Sequence, residues 1–458
     1  MDKAVRITLL AATIFACNAC LSYDEKKMEL DKTTTVYIGA VHSFTGVFAT
    51  QAVEVEQAED LAVNHINSAG GVLGKQVVLI KRDTGAQVNL CRSQAVDLIR
   101  NEGINYIFGA IESACTNAIL NVAVPDGVLT VTGNPYASVL STGRNNFYDS
   151  TQIEYVDPDS DSDNSDTNAT ADTSTDNWVP VEVSVSSNMF YRTSPNNGKL
   201  MKSLASKILL DGNHSLTIIA ADNMLAASAA DDMERYFSAL DCGGTRCQVR
   251  KRFNYSSDID AERYNFSKDI PEILAANSDA IFFSSYPDDG VGFLRAAVDG
   301  GYSGRPYISA EMGHASIGGF LDRVTADKIQ WVDVPPSSGI SFDYFRQKYE
   351  LTYGEPVSEN RASERTYDML TILALAIHKS GENSTPDKIS KDLWQVANPP
   401  GELIFAGEFM KAKEMIEQGI DIDYQGASGS CDFDSAGDVP VNQIFMGYDA
   451  AGKAIKKY

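Results

Sequence analysis

The stretch Asn64–Asp83, NHINSAGGVLGKQVVLIKRD, decides the fold, because it can be read as a phosphate-binding loop or as a corner between two elements. A P-loop needs a glycine where Ala69 stands and a Ser or Thr where Gln76 stands. The order is also reversed. A P-loop runs from strand to helix, whereas here Ala58, Leu61, Ala62 and Ile66 recur at helical spacing before the glycines and Val77–Ile80 reads as a buried strand after them. Gly70 and Gly71 therefore read as a helix C-cap and Gly74 as a turn glycine.

Outward from this corner the chain alternates strand and helix. VYIGAV from Val36 is a first strand, followed by the loop HSFTGVFATQA, the helix that ends at the corner, and the strand VVLI. A helix around Ala95–Ile99, a strand at Tyr106–Phe108, a helix over Ala114–Ala123 and a strand at Val128–Val131 continue the pattern. Short apolar runs separated by amphipathic helices predict a parallel sheet covered on both faces, and right-handed crossovers make it doubly wound.

The alternation stops at Asp149. Residues 157–176, DPDSDSDNSDTNATADTSTD, hold no apolar residue larger than alanine apart from Pro158, too little to order a segment by burial, so 149–185 reads as an inserted acidic surface loop. Asp157, Asp159 and Asp161 alternate as in a calcium loop, but its glycine and closing Glu are absent. After FYRTSP (Phe190–Pro195) a second α/β unit begins, with strands at Leu216–Ala220, near Val249, at Ala280–Phe283 and around Tyr307. Tyr344–Tyr353 and Arg365–Lys379 read as further amphipathic helices, and Tyr424–Asp438 as turn-rich, hairpin-like chain. Two such lobes leave a cleft between the carboxyl ends of their strands, a site that can close on a ligand.

Composition narrows the function. The 458 residues are 43 % apolar, enough for a large core and two or three domains. A formal charge of −24 opposes nucleic-acid binding and favours solubility. At the N-terminus, Lys3 and Arg6 precede an apolar run, Ile7–Ala16, that is too short to span a bilayer and fits a secretory signal. Ala16 before Cys17 resembles a bacterial lipoprotein box, whose cysteine is lipidated and becomes the mature N-terminus. Cys20 is the second candidate, and an ordinary signal peptide at residues 1–20 is the alternative. A membrane-attached protein of the periplasm or cell surface is therefore expected. Cys91 with Cys115, and Cys242 with Cys247 in CGGTRC, are candidate disulfides, although spacing alone does not fix connectivity. Beyond the leader there is no Cys-x-x-Cys, and the five histidines are scattered, so no metal site or cofactor is expected.

The segments IGAVHSFTG, AVNHINSAGGVLGKQVVLIKRDTG, YIFGAIESACTNAI, FYRTSPNN, YDMLTILALAI and YQGASG...FDSAGD occur in the order seen in the solute-binding proteins of branched-chain amino acid ABC importers. The chain resembles this Leu/Ile/Val-binding family over nearly its whole length after the leader. The resemblance implies a type I periplasmic binding protein, α/β, with two doubly wound lobes and a hinge of three crossovers. The expected division is 32–195 with 335–395 for the N-terminal lobe and 196–334 with 396–458 for the C-terminal lobe. A monomer is expected, with a small-molecule ligand and an ABC permease as partners.

The resemblance also implies site residues. Ser113, after the strand Tyr106–Phe108, matches a serine that binds the ligand carboxylate, and it would also cap the helix from Ala114, whose free N–H groups favour an anion. A cap without a ligand is the plainer reading. Thr132 matches the next carboxylate contact, followed by Asn134 and Tyr136. Tyr286 in FFSSYPDD matches a covering aromatic, and Glu311 in ISAEMGHAS matches the acid that pairs with an α-ammonium; a solvated loop acid is the alternative for Glu311. The chain departs from the family at Met224, Leu225 and Ala226, where an aromatic is expected, and near Gln51, where a bulky residue is expected. The ligand's side-chain class stays open on this ground, with amides, urea and aromatic acids as alternatives to an amino acid. A sensor that signals to a membrane receptor is a second reading. An enzyme is disfavoured, because no Gly-x-Ser-x-Gly, His-Glu-x-x-His or Gly-x-Gly-x-x-Gly is present.

Overall fold

Helix α1 (Ala49–Ser68) ends where the glycines begin. The amide of Gly71 donates to the Ile66 carbonyl and that of Gly70 to Asn67, each at 3.0 Å. Gly71 has φ +67° and a Cβ there would lie 1.9 Å from the Lys75 carbonyl, so no other residue fits. Leu73 and Gly74, both with positive φ, turn the chain between the paired Val72 and Lys75 and aim it into β2. Lys75 lies 2.9 Å from Glu382. Lys413 donates to the carbonyls of Ala69 and Gly71, which satisfies the helix end from the other side. The corner is a turn, and its lysine is an ordinary ion-pair partner.

The computed structural model describes residues 30–142, 188–256, 264–313, 317–318, 326–449 and 451–457. The leader with Cys17 and Cys20, and the acidic segment with its calcium reading, lie outside them.

The first sheet holds β1 (Thr35–His42), β2 (Gln76–Asp83), β3 (Tyr106–Gly109), β4 (Leu129–Thr132) and β5 (Phe190–Arg192), all parallel in the order β2-β1-β3-β4-β5. Between them run α1, α2 (Val88–Val96), α3 (Ser113–Ala123) and α4 (Val139–Thr142). The second sheet repeats the arrangement with β6 (Ser215–Ala221), β7 (Gln248–Tyr255), β8 (Ala280–Ser284), β9 (Pro306–Ile308) and β10 (Gln330–Asp333), parallel in the order β7-β6-β8-β9-β10. Its helices are α5 (Asn197–Leu210), α6 (Met224–Ala239), α7 (Ile270–Leu274) and α8 (Pro287–Asp299). In each sheet the strand order reverses once, between β1 and β3 and between β6 and β8. Ligands of doubly wound sheets bind at such switch points, beyond the carboxyl ends of the strands.

The rest of the chain is α9 (Ile340–Tyr353), α10 (Ala362–Ser380), α11 (Pro386–Ala397), β11 (Glu402–Phe405), α12 (Phe409–Glu417), β12 (Ile422–Gly426) and β13 (Gly429–Ser430), the last three strands forming a small third sheet. β14 (Ile444–Tyr448) and β15 (Ala454–Lys456) then extend the second sheet, β14 antiparallel to β10. This differs from the division expected from sequence, which gave 396–458 to the C-terminal lobe. Ile404, Phe409, Ile422, Tyr424 and Phe433 are buried in the same core as Ile38, Phe108 and Leu370 of the first lobe. Apolar periodicity shows that an element has a buried face but not which of two similar sheets it meets.

Near the crossovers between lobes lies a fully buried ion pair. Arg192 at the end of β5 donates through Nε to Asp438 at 2.7 Å, through Nη1 to the carbonyls of Pro135 and Ala137, and through Nη2 to Ser141. Asp438 also accepts from Ser141 and Asn196. Burial pushes the Asp438 carboxyl up, but the Arg192 charge and these hydrogen bonds outweigh it and hold the carboxyl below its ordinary value. Asp438→Ala strands a buried guanidinium and is expected to cost about 3–5 kcal/mol of stability, read as a lower urea midpoint. A midpoint within error of the parent would show that the pair is not a stabilising link.

Candidate functional site

The loops that leave the switch points face one another. In the first lobe β1 runs into His42 and Ser43, and β3 into Ile111, Glu112 and Ser113. In the second, β8 runs into Ser285 and Tyr286, and β9 into Ser309 and Glu311. Tyr286 stands at the N-cap of α8, and its ring meets Phe48 of the first lobe edge-on, with centroids 6.3 Å apart. Burial, with the nearby charges of Glu112 and Glu311, pushes its phenol up to about 12. One acid from each lobe therefore bears on the same hydroxyl.

Glu311 accepts from the Asn197 side chain at 2.8 Å through Oε1, while its Oε2, the Asn197 Oδ1 and the neighbouring Ser309 hydroxyl are buried without a close partner. Burial pushes the carboxyl up to about 7, although its own backbone, Ser309 and Asn197 oppose the shift, and Asp333 adds repulsion. Asn197 is the first residue of α5, and its amide donates to the Tyr136 carbonyl at 2.8 Å, which ties that helix to the loop after β4. In the first lobe, Glu112 Oε1 accepts from the Ser43 hydroxyl and Oε2 is buried without a partner. Burial also raises this carboxyl. Beneath it His42 Nε2 lies 2.9 Å from Glu59, and neither side chain has exposed surface.

Ser113 is the first residue of α3 rather than its cap. Glu112 occupies the cap position and makes no side-chain cap bond, and the Ser113 hydroxyl accepts from the Ala137 amide at 3.3 Å. The expected capping role is therefore corrected: the helix starts one residue early, and the serine fastens the loop after β4. Thr132 donates to the Ala110 carbonyl and Asn134 to Thr366, so both side chains are paired within the first lobe and the start of α10. Gly133 between them could carry no side chain, since a Cβ would lie 2.8 Å from the Thr366 amide. The Tyr136 hydroxyl accepts from Arg365, whose guanidinium lies 5.4 Å from the ring centroid. Tyr286 and Glu311 are thus brought together, Tyr136 joins them through Asn197, and Thr132 and Asn134 support the loop.

Sequence reasoning missed Glu112, Asn197, Arg365 and Phe48. Glu112 adjoins Ser113, and Asn197 lies in FYRTSPNN, where the second lobe begins; an acid or amide at the start of a helix was the available signal. Phe48 places an aromatic a few residues before the position where a bulky residue was expected. The candidate disulfides are present as bonds Cys91–Cys115 and Cys242–Cys247, and Cys431 is free and buried.

The model of the family described as periplasmic binding protein matches residues 35–412. The chain belongs to the periplasmic binding protein family. It is of the type I, Leu/Ile/Val-binding kind, a family of substrate-binding proteins that work with ABC permeases. The substrate-binding protein BasB of the chemotactic signal transduction system of Halobacterium salinarum is 23 % identical over 397 residues, 85 % of this chain and 81 % of that protein. Leu/Ile/Val-binding protein homolog 8 of Brucella abortus is 26 % identical over 385 residues, 80 % of this chain and 82 % of the relative. Among solved structures, the leucine binding protein LivK of Thermotoga maritima superposes with a TM-score of 0.65 at 17 % identity, covering 92 % of this chain and 98 % of its own. No helix among the described residues of this periplasmic binding protein is long and apolar enough to cross a membrane.

The raised Glu311 carboxyl has a consequence for stability. Its folded value of about 7 exceeds the ordinary 4.5, so the folded chain holds a proton that the unfolded chain releases, and its contribution falls as pH rises from about 4.5 to about 7. Glu311→Gln is expected to raise the melting temperature of the ligand-free protein at pH 8 more than at pH 4.5, measured by circular dichroism. Equal shifts at the two pH values would place the carboxylate in water.

Proposed function

We propose that this protein is an extracytoplasmic binding lipoprotein that holds an α-amino acid in the cleft between its lobes and hands it to an ABC permease. The observation that carries this reading is the pair of unpartnered acceptors, Glu311 Oε2 and Asn197 Oδ1, beside Tyr286. An ammonium supplies donors to both and a charge that offsets the buried carboxylate. The carboxylate of the same ligand is received by the free N–H groups at the start of α3, next to Ser113, on the opposite lobe. Contacts from both lobes are made together only when the lobes are closed, so the ligand favours closure by its differential affinity. An amino acid of branched-chain or related shape is the ligand that the family's relatives support. BasB, a substrate-binding protein of a chemotactic signal transduction system, favours a second reading in which the closed form reports to a membrane receptor.

Calorimetric titration with a panel of α-amino acids, small amides, urea and benzoate tests this. Glu311→Ala is expected to weaken amino-acid binding by more than roughly tenfold, because an ammonium is left unpaired in a closed site. Ser113→Ala is expected to cost about fivefold, the worth of one neutral hydrogen bond. Binding to the parent should release a proton below pH 7, since Glu311 must ionise to receive the ammonium, and affinity should rise with pH until Glu311 is ionised in the empty cleft. Tight binding of benzoate with no response to any amino acid would sink the amino-acid reading.

A further inference from the structure

Resting on that reading, we infer that Glu112 makes the cleft selective for amino acids whose side chain ends in a second cationic group, the class of lysine, ornithine and arginine. Four buried polar atoms at these loops lack partners: Glu112 Oε2 on the first lobe, and Glu311 Oε2, Asn197 Oδ1 and Ser309 Oγ on the second. Three of these are acceptors, and the Ser309 hydroxyl, the one donor among them, bears on Glu311. With the α-ammonium at Glu311 and Asn197 and the carboxylate at the amides that open α3, the Oε2 of Glu112 is left to the ligand's side chain.

Glu112 has no structural task that uses its charge. It occupies the N-cap of α3 without capping it, its Oε1 takes only the Ser43 hydroxyl, and the Ser43 hydroxyl also lies 2.9 Å from Thr84 and accepts from the Ala86 amide. Of the charged groups that bear on it, His42 is set against Glu59 at 2.9 Å, and Asp83 is repulsive. An apolar ligand side chain would seal Glu112 Oε2 from water and offer it nothing, which is the costliest arrangement for a buried acceptor. A terminal ammonium or guanidinium supplies both the donor and the charge. Sites built to bond a polar group reject an analogue that lacks it far more strongly than an apolar pocket rejects a missing methylene. The selectivity therefore resides in one loop residue at the switch point of the first sheet.

The test is calorimetry on the purified full chain with lysine, ornithine, leucine, 1,5-diaminopentane and benzoate, on the parent and on Glu112→Gln and Glu112→Leu. Lysine or ornithine is expected to bind about a hundredfold more tightly than leucine. Glu112→Gln should lower that affinity more than about tenfold, and Glu112→Leu should reverse the preference toward leucine. Melting curves of both variants establish that they are folded before binding is compared. Leucine binding more tightly than lysine to the parent, unchanged in Glu112→Gln, would overturn the inference and leave the amino-acid reading standing. Diaminopentane binding as tightly as lysine would overturn it too, since the ligand would then need no carboxylate. Binding of benzoate alone would overturn both.

Discussion

The contact on which the rest depends is the Arg192–Asp438 pair. Arg192 closes the last strand of the first sheet, Asp438 comes from the far end of the chain, and their other bonds reach Pro135, Ala137, Ser141 and Asn196. Those partners are the loop after β4, helix α4 and the cap of α5. The same loop carries Tyr136, whose carbonyl receives the Asn197 amide, and Asn197 in turn holds Glu311. A charge pair with no water around it thus sets the position of a carboxylate on the other lobe through a short series of hydrogen bonds. Such a pair is weak evidence for net stability, because desolvation offsets much of the attraction. Its value lies in geometry: five donors in a rigid plane fix three segments at once.

The cleft shows the opposite economy. The described residues of the first lobe satisfy Thr132, Asn134 and Ser113 with partners from their own surroundings, whereas Glu112, Glu311 and Asn197 keep acceptors unmet. In a well-packed protein most buried polar groups are paired, so a cluster of unmet groups marks a place that a ligand can complete. Tyr286 and Phe48 meet edge-on across the cleft beside these groups.

Much of the fold was legible in the sequence. The corner at Gly70–Lys75 was readable because a failed phosphate motif and a working turn make different demands on Ala69 and Gln76. The alternation of strands and helices followed from apolar period alone, and the two lobes from its repetition. The expected boundary at 395 failed because β11, α12 and β12 have amphipathic patterns that either lobe could have buried; only packing against Leu370 and Phe108 decides. In the candidate site, Tyr286 and Glu311 were proposed through resemblance, and the structure places them near one another. Glu112 was overlooked beside Ser113 because its meaning lies in the lack of a partner, which is a three-dimensional fact. The capping role given to Ser113 failed for a smaller reason, a helix that begins one residue earlier than its pattern.

The chain order of the first lobe has a kinetic meaning. Its five strands are complete by Arg192, but α10, buried along nearly all its length within that core, begins only at Ala362, and Asp438 arrives later still. A nascent polypeptide that has every strand of the sheet still lacks the helix that covers it and the acid that neutralises Arg192. Its native core forms only when synthesis is nearly finished, since a domain folds as a unit when its parts are present. The order in which the polypeptide emerges leaves this half of the molecule without its covering helix for most of its synthesis.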